Sequence, residues 1–305
     1  MVALVPDLEN ISLDRWDHPM FRQHAICADV LRLDKIHPEI SGNKWFKLKY
    51  YLEKARETNK QKLVSFGGPY SNHLLALAAA ARLNNFSSIG FIRGEEPKRM
   101  SHILLAAREY GMDLRFLSRE EYNRKKKSAG FNNPGEFEPD TLPIPEGGSG
   151  TEGLRGAEEI LSVIDPGPYS HICCAVGTGT TLAALINNSR PGQKLIGVSV
   201  LKGTRDFEPM NISWIKNKPD LLNVQIVHAD HFGGYGKYSK SLLDFMNQVY
   251  SESGIPTDFV YTGKLFYSIT RMTSIKAFIP GSRILVLHTG GLPGNRSLEA
   301  GLLRF

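Results

Sequence analysis

The stretch Ser41-Gly42-Asn43-Lys44-Trp45-Phe46-Lys47-Leu48 places a lysine at the start of a predicted helix. Apolar residues recur at helical spacing after it and predict a helix over 44–58. An exposed lysine has a pKa of about 10.4 and is a poor nucleophile, but burial or a nearby cation activates it. A capped helix start with a solvated lysine explains this stretch equally well, so its meaning depends on a second site.

That second site is typical of phosphate binding. The apolar run His171-Ile172-Cys173-Cys174-Ala175-Val176 predicts a strand, and Gly177-Thr178-Gly179-Thr180-Thr181 follows it at the start of a helix. Glycines allow backbone amides to approach a phosphate at a helix N-terminus. The loop lacks the Lys-Ser/Thr ending of a P-loop and is not Gly-x-Gly-x-x-Gly, which disfavours ATP hydrolysis and nicotinamide nucleotides. A plain strand-to-helix turn remains the alternative.

An amine and a phosphate site together favour pyridoxal 5′-phosphate (PLP), an aldehyde that carries a phosphate and joins a lysine as an imine. Lys44 would take the aldehyde end. The phosphate end would lie on the loop residues Gly177, Thr178, Gly179, Thr180 and Thr181.

A third motif, Gly67-Gly68-Pro69-Tyr70-Ser71-Asn72-His73, is a glycine turn that opens an alanine-rich helix. Helix N-termini attract carboxylates because their first amides are unpaired and the helix dipole is positive there. Ordinary capping by Ser71 or Asn72 is the alternative. Capping alone does not require the paired glycines, so we favour a substrate-carboxylate site.

Two late segments end in residues suited to a ligand site. Tyr261-Thr262-Gly263-Lys264 follows Asp258-Phe259-Val260, and the strand Ile284–His288 ends in Thr289-Gly290-Gly291. Ligands of open α/β sheets bind beyond the carboxyl ends of the strands. Either segment alone is better explained as structural.

Strands alternate with helices along the chain, which predicts parallel sheets covered by helices. The predicted strands are 26–33, 63–66, 88–92, 113–117, 171–176, 194–201 and 283–288. The predicted helices are 44–58, 72–83, 101–110, 152–163, 180–189 and 240–250.

A proline- and glycine-rich stretch, 132–150, breaks this rhythm and indicates a linker or a functional loop. We place one domain crossing there and a second near Lys49. Residues 1–49 plus 151–305 would then form a large PLP-binding domain, and residues 50–150 a small inserted α/β domain. The cofactor would lie in the cleft between them.

The composition of the 305 residues suits a cytoplasmic enzyme: 41% are hydrophobic and 22% charged. Three cysteines make no disulfide framework, and Cys173 and Cys174 are expected in a strand core. The net charge of +6 could attract an anionic partner. The basic cluster Arg124-Lys125-Lys126-Lys127 is better explained as a solvated surface. We predict no signal peptide, membrane span, nucleic-acid partner or metal site.

Five motifs occur in a fixed order over residues 30 to 295: Lys44, Ser71-Asn72-His73, 177–181, Tyr261 and His288-Thr289-Gly290-Gly291. The ordered set resembles the 1-aminocyclopropane-1-carboxylate (ACC) deaminase/D-cysteine desulfhydrase family of fold-type-II PLP enzymes. The resemblance implies two three-layer α/β/α domains with mostly parallel sheets. It also implies a homodimer.

The resemblance assigns roles residue by residue. Lys44 would hold PLP and later move the substrate α-proton, and Asn72 would contact the phenolic oxygen of PLP. Ser71 would lie near the substrate carboxylate, with His73 beside it. The loop 177–181 would bind the phosphate and Thr289 would sit near the pyridine nitrogen. Tyr235 and Tyr261 would face the substrate. Lys44, Ser71 and Tyr261 are the residues expected to act in catalysis.

Two positions favour one branch of the family. ACC deaminases typically have Glu at the position of Thr262 and Leu at the position of Thr289, whereas this pattern resembles D-cysteine desulfhydrases. A neutral hydroxyl near the pyridine nitrogen makes the ring a weaker electron sink than a carboxylate would. Elimination of a thiolate tolerates this better than opening a cyclopropane.

Three functions follow from the resemblance. We expect a lyase that converts D-cysteine or a related D-amino acid to pyruvate, ammonia and sulfide. The first alternative is ACC deaminase, a hydrolase that gives 2-oxobutyrate and ammonia. The second alternative is a non-catalytic ligand-binding homologue.

The chain departs from the family at Pro69-Tyr70, where members usually have an aliphatic residue and Gln. We expect Tyr70 to narrow the substrate pocket. The chain is also short for the family, and region 118–145 is expected to hold a compact or mobile loop.

Overall fold

Two β-sheets form the framework of the protein in a computed structural model that describes residues 6–130, 137–203, 213–216 and 218–305, without the side chains of 128–130 and 218–220. The strands are β1 (Leu13–Arg15), β2 (Cys27–Arg32), β3 (Lys62–Gly67), β4 (Ser87–Arg93), β5 (Met112–Leu117), β6 (Thr141–Pro143), β7 (His171–Val176), β8 (Lys194–Ser199), β9 (Val224–Val227) and β10 (Arg283–His288). Six of them form a sheet in the order β1-β2-β10-β7-β8-β9, and four form a second sheet in the order β5-β4-β3-β6. Within the described chain every strand pair is parallel except β1–β2.

Helices cover the faces of both sheets. They are α1 (Pro19–Gln23), α2 (Asn43–Glu57), α3 (Asn72–Leu83), α4 (His102–Glu109), α5 (Arg119–Gly130), α6 (Thr151–Ala157), α7 (Thr180–Asn188), α8 (Lys240–Ser253) and α9 (Thr262–Ser274). Short 3₁₀ turns include Ile160–Val163 and Leu292–Ser297. The predicted helices are confirmed, but the one expected over 152–163 is divided into α6 and the 3₁₀ turn that follows.

Successive residues of β7 show why a parallel sheet needs helices on both faces. Ile172 and Cys174 pack into one apolar cluster with α6 and α7, whereas Cys173 and Ala175 pack into another with α9. Both cysteines are fully buried, so the expectation that they belong to the strand core is confirmed. The α/β fold with mostly parallel sheets is confirmed with them.

Helix α2 belongs to two cores at once. Phe46 packs into the core of the six-stranded sheet, whereas Leu48, Tyr51 and Leu52 pack against α3 and the four-stranded sheet. The four-stranded sheet takes its described strands from residues 62–143 and the six-stranded sheet from the chain on either side. The exact boundaries at residues 49 and 150 stay a prediction.

The region expected to be a loop is partly regular. Residues 119–130 form helix α5, which carries the basic cluster, and Thr141–Pro143 form strand β6, paired in parallel with β3. The prediction of a loop over 118–145 is therefore wrong for both segments, and that of a linker over 132–150 is wrong for β6, while residues 131–136 lie outside the described chain. Between β6 and α6 the chain forms only the short 3₁₀ turn Glu146–Gly148.

The sequence patterns did not predict α1, α5, α9 or the short strands β1, β6 and β9. Helix α9 matters most, because Tyr261 directly precedes it. In the described ranges, no helix is both long and apolar enough to cross a membrane.

Candidate active site

A cavity of about 450 Å³ lies where the carboxyl ends of strands from both sheets meet. Pockets of this size bind small molecules, and open α/β sheets bind ligands at this edge. Predicted site residues in its wall are Lys44, Ser71, Asn72, His73, Gly177, Thr178, Gly179, Thr181, Tyr235, Tyr261 and Thr289. Thr180 is fully buried behind the wall. The structure thus brings the predicted residues other than Thr180 into one cavity wall, although they come from widely separated segments of the chain.

Gly42 allows the start of α2 to touch the end of β10. Its φ is 64°, and a Cβ there would lie 1.9 Å from the backbone oxygen of Thr289. The amide of Asn43 approaches the same oxygen at 3.4 Å, and its Nδ2 donates to Oγ1 of Thr181 at 2.9 Å. Through its neighbour Asn43, Lys44 is therefore fixed between Thr289, at the end of β10, and the loop 177–181.

The amine of Lys44 is suited to act as a nucleophile. It donates to Oδ1 of Asn43 at 3.1 Å and lies 5.9 Å from the ring centre of Tyr261. Burial lowers the pKa of Lys44 to about 8, although the negative charge of Asp258 opposes this shift. A large fraction of the amine is therefore neutral at mildly alkaline pH.

Lys47 is a cavity residue that the sequence patterns did not single out. It lies one helical turn after Lys44, lines the cavity and is only 3% exposed. Burial, helped by the charge of Lys44, holds its pKa well below the usual range. The signal was the i, i+3 spacing of two lysines on one helix face. Two amines in one cavity wall favour an anionic ligand.

The loop 177–181 presents a helix N-terminus to the cavity. Gly179 has φ 80° and precedes α7 as a cap that has no side chain. The first amides of α7 are thus left for a ligand. The hydroxyls of Thr178 and Thr180 lie 3.1 Å apart. A Cβ at Gly177 would lie 3.3 Å from the ring of Tyr261, so the loop packs closely against that tyrosine.

Ser71 is both a helix cap and a cavity residue. Its Oγ accepts from the amide of Leu74 at 3.4 Å, as the capping alternative expected. A Cβ at Gly67 would lie 2.6 Å from this Oγ, which explains the glycine. Beside it, Oδ1 of Asn72 is buried without a hydrogen-bond partner in the described residues. An unpaired buried amide atom at a helix N-terminus suits a polar ligand.

The tautomer of His73 follows from its partner. The hydroxyl of Ser65 donates its single proton to the backbone oxygen of Ile144 at 2.8 Å, and lies 2.8 Å from Nε2 of His73. Nε2 must then donate to Ser65, which leaves Nδ1 as an acceptor. Nδ1 is buried, with no partner among the residues that the structure describes. Burial and the charges of Lys44 and Lys47 keep the pKa of His73 well below its usual value.

Tyr235 and Tyr261 form an edge-to-face pair on the cavity wall, with ring centres 6.1 Å apart. Burial raises the pKa of Tyr235 to about 12 and that of Tyr261 well above its usual range. The Tyr261 hydroxyl hydrogen-bonds the Tyr235 hydroxyl, which donates to the backbone oxygen of Tyr70 at 3.1 Å. Both rings are therefore neutral hydrogen-bonding groups at physiological pH.

The ring of Tyr70 is not in this pair. It is 41% exposed and lines a neighbouring groove with Arg99 and Arg108. The expectation that Tyr70 narrows the pocket with its ring is therefore corrected: its backbone oxygen reaches the site through Tyr235.

Asp258 organises the turn that carries Tyr261. Its carboxylate, which is fully buried, accepts from the amides of Val260, Tyr261 and Thr262 at 2.8–2.9 Å. The Thr262 hydroxyl donates to it at 2.7 Å and is also fully buried. Thr262 thus holds the turn and faces Asp258.

No family model matches the chain. A mitochondrial protein of Arabidopsis thaliana, named bifunctional D-cysteine desulfhydrase/1-aminocyclopropane-1-carboxylate deaminase, is 30% identical over 293 residues. The match covers 87% of this chain and 72% of that protein. The chain belongs to the ACC deaminase/D-cysteine desulfhydrase family.

Other members of the family span almost the whole chain. A Pyrococcus abyssi protein, provisionally named 1-aminocyclopropane-1-carboxylate deaminase, is 27% identical over 316 residues, covering 96% of this chain and 94% of that protein. A crystal structure described as an ACC deaminase homologue aligns with a TM-score of 0.77 at 25% identity, covering 96% of this chain and 92% of that chain. The fold is that of the fold-type-II PLP enzymes, and the predicted resemblance is confirmed.

Proposed function

We propose that this protein is a PLP-dependent lyase that eliminates sulfide from D-cysteine or a related β-substituted D-amino acid. One observation carries the proposal: an amine with a pKa of about 8, on Lys44, lies in one cavity with an open helix N-terminus at 177–181. The Arabidopsis relative, whose name includes D-cysteine desulfhydrase, supports the substrate class. The overall reaction converts D-cysteine and water to pyruvate, ammonia and hydrogen sulfide.

The residues present fit PLP. Lys44 offers a neutral amine, the loop 177–181 offers backbone amides to a phosphate, and Lys47 adds a second amine in the wall. Asn72 has a buried Oδ1 without a partner in the described structure, and this oxygen can accept a hydrogen bond from a protonated group of a bound ligand. When bound, PLP withdraws electrons from the substrate carbon that bears the amino group, so that its proton can leave.

Lys44 is the group that moves this proton. With PLP and substrate bound, the Lys44 Nζ would be the base that takes the α-proton, since burial brings its pKa to about 8, near working pH, as general-base catalysis requires. The proton leaves the α-carbon, the electron pair forms the α–β double bond, and the β-substituent leaves with the electrons of its bond. Water then replaces the amine of the resulting enamine product and gives pyruvate and ammonia.

Ser71 and Asn72 bind and orient the substrate carboxylate. They lie at the start of α3, where the helix dipole favours an anion. His73 lines the cavity, and its unprotonated Nδ1 has no partner among the described residues, so it is available to accept a hydrogen bond from a ligand group. Tyr235 and Tyr261 line the cavity as neutral, protonated rings, and their hydroxyl protons are used in the contacts with each other and with the Tyr70 backbone oxygen.

Thr289 supports elimination over ring opening. It lines the cavity at the end of β10 with an uncharged side chain, which does not stabilise a protonated pyridine nitrogen as a carboxylate would. A thiolate leaves readily from a weakly activated carbon, whereas a cyclopropane does not. ACC deamination remains the second candidate because the Arabidopsis relative is named for both reactions.

The location, the oligomeric state and the domain boundaries of the enzyme are also part of the proposal. By resemblance to the family we infer a cytoplasmic homodimer, with the domains 1–49 plus 151–305 and 50–150 on either side of the cleft. Size-exclusion chromatography with light scattering tests the dimer, because a mass of one chain would contradict it.

Product analysis tests the reaction. Purified protein with PLP is given D-cysteine, L-cysteine or ACC, and sulfide, pyruvate and 2-oxobutyrate are measured. We expect sulfide and pyruvate in equal amounts from D-cysteine. Efficient 2-oxobutyrate formation from ACC would instead assign the second candidate. A protein that binds PLP but releases no product from any of the three would refute both.

A further inference from the structure

Lys264 is a buried lysine that the proposed reaction does not use. It lies in the first turn of α9, three residues after Tyr261, and is fully buried. Its Nζ donates to the backbone oxygens of His231 at 2.9 Å and Gly234 at 2.7 Å. Burying an amine costs free energy unless it is hydrogen-bonded, so these two contacts define what the side chain does.

Both contacts hold the segment that leads to Tyr235. Residues 231–236, between β9 and α8, form no strand or helix. Phe232, Gly233, Gly234 and Gly236 all have positive φ, between 49° and 111°. A backbone of this kind is not fixed by the regular hydrogen bonds of a strand or helix. Lys264 instead connects the first and last residues of 231–234 through their backbone oxygens.

Tyr235 directly follows this turn. Its ring lines the cavity, packs edge-to-face on Tyr261, and its hydroxyl links Tyr261 to the backbone oxygen of Tyr70. The start of α9 thus carries two linked groups: Tyr261 directly precedes the helix, and Lys264 in the first turn holds the segment that leads to Tyr235. The hydroxyl chain also crosses from the six-stranded to the four-stranded side of the cavity.

We propose that Lys264 is a positioning residue, which fixes the 231–234 turn and thereby sets Tyr235 against Tyr261 and the substrate. The inference rests on the proposed function for its kinetic consequence, but not for its structural one. Burial lowers the pKa of Lys264 to about 8, with Asp258 opposing the shift. A neutral amine still has two N–H groups, one for each of the two backbone oxygens.

Hydrogen exchange and kinetics on Lys264→Met test this proposal. The substitution approximately keeps the length of the side chain and removes the donors. We expect faster amide exchange in peptides covering 229–238, with β3 and β7 unchanged, and kcat/KM for D-cysteine lower by about tenfold to a hundredfold, mainly through KM. Lys240→Met, at an exposed position on α8, is the matched control and should leave both quantities unchanged.

A double variant separates positioning from simple destabilisation. If Lys264 acts through Tyr235, Tyr235→Phe lowers kcat/KM less in the Lys264→Met background than in the parent. Unchanged exchange over 229–238 would overturn the proposal, as would faster exchange spread over all of α9. A parent protein without lyase activity would refute the proposed function, while the exchange result would still decide the role of Lys264.

Discussion

Ser65 Oγ lies 2.8 Å from Nε2 of His73, which is a residue of the cavity wall. Because Ser65 gives its proton to the backbone oxygen of Ile144, it can only accept from the histidine. A fully buried strand residue outside the cavity wall therefore decides which ring nitrogen of His73 carries the proton, and it leaves Nδ1 as the acceptor.

We expect Ser65→Ala to release this constraint. His73 then populates both tautomers. In the molecules with a proton on Nδ1, a ligand group that donates to Nδ1 has no acceptor. Nitrogen-15 NMR of the histidine ring in the variant should show mixed tautomers, with kcat/KM lower by about tenfold. Ser88→Ala removes a buried serine from the neighbouring strand β4 and serves as the control. A single unchanged tautomer in Ser65→Ala would refute the assignment.

The pH dependence of cofactor loading follows from Lys44. Its lowered pKa means that the neutral amine appears as pH rises through about 8, rather than near 10.5 as for an ordinary lysine. The rate at which PLP loads onto the apoprotein should therefore rise across this range and level off above it. A rate that still rises steeply between about pH 9 and 10 would show that the pKa of Lys44 is not lowered.

The same shift affects stability in a defined direction. Between about pH 8 and 10.5 the unfolded chain binds a proton on Lys44 that the folded apoprotein does not. The free energy of unfolding therefore gains a contribution that increases with pH across this window. Lys44→Met should lose that contribution, measured by urea unfolding at several pH values. An identical pH slope in parent and variant would contradict the prediction.

Gly42 should not tolerate a side chain. Gly42→Ala forces a Cβ to within 1.9 Å of the Thr289 oxygen, so we expect a loss of at least about 3 kcal/mol and poor cofactor retention. Gly111→Ala is the matched control, since Gly111 has φ 88° and an added Cβ would meet no atom of the described residues within 4 Å. It should lose only the backbone contribution of about 1–2 kcal/mol. Urea unfolding compares the two variants, and equal losses would mean that the contact with Thr289 is unimportant.

Thr262 should act through Asp258. Thr262→Val removes a donor from a fully buried carboxylate, and we expect a loss of about 1–3 kcal/mol together with reduced activity. Thr270→Val, on the same helix, removes a buried hydroxyl without a described partner and should change stability by less than about 0.5 kcal/mol. Thermal melts compare the two.

Thr262→Glu, which would place a second carboxylate against Asp258, should unfold more easily and gain no ACC activity.

The sequence was sufficient to predict the parts of the site that are defined by a short pattern of neighbouring residues. Lys44 at a helix start and the glycine loop at 177–181 are explained by neighbouring residues, and their strands and helices lie where the periodicity predicts. The parallel sheets then bring their ends together, because strand ends of one direction share an edge.

Residues whose role depends on distant partners could not be predicted. Lys264 donates to backbone oxygens 30 and 33 residues before it, and no spacing rule predicts such contacts. Helix α9 was missed because Tyr261-Thr262-Gly263-Lys264 was considered only as a short motif and the periodicity after it was not followed. Its apolar positions Leu265, Ile269 and Met272 do follow helical spacing.

Lys44 is central to the proposed function because it is the residue that would carry the cofactor. Borohydride reduction of the PLP-loaded protein, followed by peptide mass mapping, tests this directly, because reduction makes a lysine-bound cofactor permanent. We predict the added mass on Lys44 in the parent, and none in Lys44→Ala. Added mass on Lys47 or another lysine, or none at all in a protein exposed to excess PLP, would contradict the assignment of this site.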